Sequence, residues 1–64
     1  MKRGIWDLKK GDQFRVLEGG VLCAVVTPTE DGKGLVAEYL EGDLKGQKDF
    51  VFDEEIDFST TATR

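Results

Sequence analysis

The sequence predicts an all-β domain, a small five-stranded antiparallel barrel formed by a single unit. Three observations point to it. Eight glycines, at 4, 11, 19, 20, 32, 34, 42 and 46, separate the apolar runs of the chain, a punctuation typical of small domains built from short strands and tight turns. Within the runs, apolar residues recur at every second position, and this period prevails over the helical one throughout. At 64 residues, four or five short strands cannot remain a flat sheet with open edges, and curling into a barrel resolves both burial and edges.

The elements follow in order. Residues 12–17 alternate polar and apolar, which puts Phe14 and Val16 on one face of a first strand. Glu18-Gly19-Gly20 supplies the turn. Residues 21–27 are rich in β-branched side chains and apolar on both faces, as a central strand requires. Pro28 ends that strand, because it has no amide hydrogen for the ladder. Residues 29–34 form a hairpin connection with Asp31-Gly32 as its signal. Residues 35–40 return as a third strand. Their one charge, Glu38, turns Leu35, Ala37 and Tyr39 inward. Another glycine-bounded turn covers residues 41–46. Residues 49–53 then alternate, a pattern that predicts Phe50 and Phe52 inside with Asp49 and Asp53 in water. Glu54 and Glu55 lead through a short turn into a closing strand whose Ile56 and Phe58 cover the core. The predicted core therefore spans about residues 6–58, and residues 59–64, without apolar pattern, form a flexible tail.

Composition narrows the function classes. A domain of this size buries only about 60% of its unfolded surface, and its core supplies little stability to spare. Cys23 is alone, so no internal disulfide is possible, and its apolar surroundings predict a small buried hydrophobe. Histidine is absent, which removes the usual general base and the commonest metal ligand. No apolar stretch follows Met1-Lys2-Arg3, and no run reaches membrane-spanning length. A cytoplasmic protein without cofactor, metal or small-molecule substrate is expected.

The formal charge is −4, and it is unevenly placed. Residues 1–20 carry five cations against three carboxylates, whereas residues 38–57 carry eight carboxylates against two lysines. Nucleic-acid affinity comes mainly from neutralising phosphates, so the acidic half argues against a conventional DNA or RNA binder.

Leu8-Lys9-Lys10-Gly11-Asp12, leading into the first strand, resembles the opening of SH3-like barrels, including KOW-type domains and the N-terminal domain of elongation factor P. The resemblance extends through the hairpin tip Gly32-Lys33-Gly34 and an aromatic fourth strand, over residues 7–58. It implies an SH3-like barrel, preferred to an OB-like one, which needs more chain and usually a helix. It also implies a translation or RNA-associated accessory role, with Lys33 as the tip lysine; the weakly basic N-terminus adds Lys9 and Lys10 as candidate nucleic-acid contacts. Asp31 and Leu35 stand where the family motif carries proline and a further glycine.

Candidate partner-binding residues are Trp6, Tyr39, Asp53, Glu54, Glu55 and Asp57. Trp6 precedes the first strand, outside the alternating pattern. It can anchor a peptide groove or cap an open barrel end above Leu8; the need of a small chain for every large apolar group favours the cap. Tyr39 should hold its ring in the core and its hydroxyl at the rim. An aromatic cage would draw on Trp6, Tyr39 and Phe58. The carboxylates at 53, 54, 55 and 57 match no calcium-loop spacing and predict a solvated acidic corner. No evident pocket surrounds them to raise a carboxyl pKa for acid–base work, so no catalytic residue is expected. By elimination, the chain is expected to be a non-catalytic module docking on a larger protein. The alternative is an acidic mimic of nucleic acid, of the kind phages encode, that blocks the basic groove of a nucleic-acid enzyme.

Overall fold

The computed structural model describes residues 4–62. A 3-10 turn (Ile5–Asp7) precedes β1 (Gln13–Val16), β2 (Leu22–Thr27), β3 (Gly34–Tyr39) and β4 (Lys48–Phe52). A second 3-10 turn (Asp53–Glu55) then delivers β5 (Ile56–Ala62). The five strands form one antiparallel sheet in the order β4-β3-β2-β1-β5, curled into a half-barrel compatible with a small SH3-like barrel. Three successive hairpins build four neighbours. The second 3-10 turn carries the chain across to the far side of β1, leaving β4 and β5 as the two edges. Among the described residues, no helix is long and apolar enough to cross a membrane.

The concave face holds the core. Phe14, Cys23, Val25, Leu35, Ala37, Val51 and Ile56 are buried on it, the first 3-10 turn and the residue after it add Ile5 and Leu8, and Val16, Tyr39 and Phe58 pack against the cluster. The inward parity expected for β1, β3 and β5 is the one observed. Gly11-Asp12 earns its place structurally. The Asp12 carboxylate, itself buried, accepts the Lys9 amide at 2.9 Å, while the Gly11 amide donates to the Val25 carbonyl and the Val25 amide to that of Asp12. The loop is thereby sewn onto β2, and its backbone polar groups are satisfied.

Two expectations are corrected. Phe50 and Phe52 do not face the core: they are 45% and 51% exposed, and Val51 between them is 3% exposed. The run Phe50-Val51-Phe52 is apolar at every position, so either parity is possible locally. Pairing with β3 decides it. Leu35 opposes Val51, Val36 opposes Phe50 and Gly34 opposes Phe52, so the buried Leu35 draws Val51 inward and sends both rings to the convex face. Gly34 makes room for one of them. A Cβ there would lie 2.5 Å from Cε2 and Cζ of Phe50 and 2.7 Å from the Val51 carbonyl oxygen. The ring thus covers the bare backbone of a strand glycine, a cross-strand pairing that offsets the missing side chain.

The second correction concerns the expected tail. Residues 59–62 belong to β5 and pair with β1, with Gln13 opposite Ala62. At Ser59 and Thr60, polar side chains make the join instead of apolar burial. The ladder is irregular between Gln13 and Arg15, and there the Arg15 amide donates to Thr60 Oγ1 at 2.9 Å, while the Thr60 hydroxyl donates to the Asp57 carbonyl at 2.7 Å. Positions 63 and 64, the rest of that tail, lie outside the described residues.

Candidate functional site

A groove of about 430 Å³ opens beside β4. Val16, Val21, Tyr39 and Val51 contribute apolar surface continuous with the core, and Leu17, Leu44 and Phe50 complete the apolar lining. Leu17 and Leu44 are exposed although large and apolar. Glu18, Asp49, Glu54 and Glu55 supply all the charge of the lining, and no lysine or arginine belongs to it.

The walls come from three connections. Leu17 and Glu18 lie in the β1–β2 turn, held against the second 3-10 turn by the Leu17 amide, which donates to the Glu55 carbonyl at 2.8 Å. Leu44 lies in the β3–β4 turn, closed by the Gly46 amide donating to the Tyr39 carbonyl at 2.8 Å. Arg15 ties these two turns together. Its Nη1 donates to the Gly20 carbonyl and to Glu41 Oε1, each at 2.8 Å, and the Leu22 amide also donates to Glu41 Oε1 at 3.2 Å. Arg15–Glu41 is the one ion pair among the described residues. The Arg15 guanidinium, and then the Leu22 amide, hold the Glu41 carboxyl below the usual carboxylate range.

Tyr39 sits as expected, with its ring against the core and its hydroxyl donating to Asp49 Oδ2 at 3.4 Å at the rim. Burial first, and then the Asp49 carboxylate, raise its pKa and keep it a neutral phenol. The Cys23 thiol is fully buried, and burial followed by the Glu41 charge pushes its pKa up, which keeps it protonated and unreactive.

The groove gathers Tyr39, Glu54 and Glu55 from the predicted set and leaves out the rest. Asp53 is exposed on the second 3-10 turn and Asp57 half-buried on β5, neither of them lining it. Trp6 does not cap the barrel above Leu8. It is 65% exposed, and its indole lies on Gly32, where a Cβ would come within 2.8 Å of Nε1. Trp6 thus rests at the β2–β3 hairpin, and Tyr39 lies at the other end of β3, roughly 17 Å of strand away. An aromatic cage uniting them does not form. Lys33, at the same hairpin, is exposed but beside acid. Its amide donates to Asp31 Oδ1, and its carbonyl accepts the Asp53 amide at 2.8 Å. Lys9 and Lys10 are exposed on the loop before β1. Among the described residues, no three His, Cys, Asp or Glu side chains are grouped to hold a metal ion.

Sequence reasoning missed Leu17, Glu18, Leu44, Asp49 and Phe50. Leu44 carried a readable signal, since a large apolar residue inside a glycine-bounded turn has no core to enter. Leu17 carried another, following Val16 out of phase with the buried set. Compared with protein-family models, curated proteins and solved structures, the chain matches none.

Proposed function

We propose that the chain is a small non-catalytic binding module that docks on a larger protein through the groove beside β4. One observation supports this above the others: Leu17 and Leu44 stand exposed around a single hollow whose apolar lining continues into the core. A 64-residue domain has few large apolar groups and gains stability from each one buried. Leaving both at one mouth favours burial by a partner, where apolar anchors contribute most of the binding energy.

The nucleic-acid mimic has weaker support. Asp53, Glu54 and Glu55 are consecutive and exposed, but the groove mixes carboxylates with leucine and phenylalanine, a chemistry suited to a polypeptide rather than to a site that reads phosphates. An RNA-associated role has only the scattered Lys9, Lys10 and Lys33 in its favour, the last of them among carboxylates. The test is parallel affinity capture with the native chain and a Leu17→Ser/Leu44→Ser variant whose circular dichroism is unchanged. A protein retained by the first and lost by the second is the expected result. Identical retained sets end this reading.

A further inference from the structure

β4 is an edge of the sheet, and two amides on its open side are held by carboxylates of neighbouring residues, one of them as the N-cap contact of the second 3-10 turn. The Phe50 amide donates to Asp49 Oδ1 at 2.8 Å, and the Phe52 amide donates to Glu55 Oε1 at 3.0 Å. Neither finds a backbone carbonyl on a neighbouring strand, whereas the next amide along, that of Asp53, reaches the Lys33 carbonyl on the β3 side at 2.8 Å. Two carboxylates thus cover two outward donors of an exposed strand, a device that keeps an edge from pairing indiscriminately. Both Asp49 and Glu55 also line the groove. Hydrogen-bond cover and groove charge are therefore supplied by the same side chains.

We infer that the groove receives an extended, lysine- or arginine-rich segment of a partner protein, which adds to β4 as a sixth strand of the sheet. This inference rests on the docking function proposed above and specifies its occupant. The segment's cations pair with Asp49 and Glu55 and draw them off the two amides. Its own carbonyls then accept the Phe50 and Phe52 amides, and its apolar side chains meet Leu17 and Leu44. Charge complementarity selects this occupant, because the lining holds four carboxylates and no cation. A second copy of the chain is disfavoured for the same reason: two apposed β4 edges would bring Asp49 and Glu55 of both copies together. An acidic or neutral strand leaves the cover in place.

The test uses the full chain, isotopically labelled, with three nine-residue peptides: alternating arginine and valine, alternating glutamate and valine, and the arginine peptide with a backbone N-methyl group on every residue. The arginine peptide should bind with the largest shifts and new exchange protection at the Phe50 and Phe52 amides. The glutamate peptide and the N-methyl peptide, which cannot pair closely along either edge, should bind at least tenfold more weakly. Asp49→Asn/Glu55→Gln, in which each side chain keeps an oxygen to accept the amide, should fold normally and lose at least tenfold in arginine-peptide affinity. Arginine-peptide binding that leaves both amides unmoved overturns strand addition, and the absence of binding overturns the basic occupant. A dimer formed through β4 at neutral pH in analytical ultracentrifugation replaces that occupant with a second copy. If a captured partner is lost on Leu17→Ser/Leu44→Ser but retained on Asp49→Asn/Glu55→Gln, the docking function stands and this occupant falls.

Discussion

Arg15 shows how one side chain can shape a site that it does not line. It is half-buried on the strand before the groove, yet its guanidinium holds the Gly20 carbonyl and the Glu41 carboxylate at once, so the turns carrying Leu17 and Leu44 keep a fixed separation. The Glu41 carboxyl is held below its ordinary value, by Arg15 first and by the Leu22 amide second. A folded-state pKa below the unfolded one gives a stabilisation that is complete above the unfolded value, about 4.3, and is lost as pH falls through the folded one. Thermal melts of native protein and Glu41→Gln should accordingly differ most near neutrality and converge in acid, below about pH 4. A gap independent of pH would show that the carboxylate charge contributes nothing. Exposure of the pair keeps the effect small and salt-sensitive.

At the scale of the element, β4 separates what a pattern can say from what a pairing decides. Alternation locates the strand but leaves two parities open, and phenylalanine outweighs valine in any local count of apolar bulk. The structure selects Val51 because its partner Leu35 lies in the core, while Phe50 opposes Val36 and its ring covers Gly34 on the convex face. Phe50 and Phe52 then contact each other edge to face, with centroids 5.1 Å apart. The energetic order inverts accordingly. Val51→Ala should cost about 2 kcal/mol through lost burial and the cavity left behind, and Phe52→Ala should cost less despite removing a larger group. Urea titrations of the two variants decide the matter, and a greater loss for Phe52→Ala would place that ring in the core. The polar end of β5 was hidden for a related reason. Ser59 and Thr60 have no apolar signature, and Thr60 enters the sheet by bonding the Arg15 amide, 45 positions earlier in the chain.

For the molecule as a whole, one small core serves five strands and the first 3-10 turn. Phe14, with no exposed surface, is the largest side chain wholly inside it. Replacing a buried phenylalanine by alanine costs about 3–5 kcal/mol, and a core of this size supplies roughly 3–5 kcal/mol in all. Phe14→Ala should therefore leave the chain largely unfolded at room temperature, seen as loss of dispersed amide resonances; a cooperative native spectrum would mean that the half-barrel has other reserves. The candidate site is a property of this same scale. Its lining comes from β1, the β1–β2 turn, β3, the β3–β4 turn, β4 and the second 3-10 turn. No contiguous stretch of sequence contains it.

The order of glycines and the two-residue period were sufficient to establish an all-β chain, the first four strands to within about a residue or two at each end, and the inward side chains on β1, β3 and β5. These are local properties, set by backbone sterics and by the alternation of side chains across a strand. The tertiary structure alone decided the parity of β4, the strand at residues 59–62 and the meeting of Leu17, Leu44 and Phe50 with Glu18, Asp49, Glu54 and Glu55. Each of those depends on which strand lies beside which, and that is settled by hydrogen bonds and burial between segments far apart in the chain.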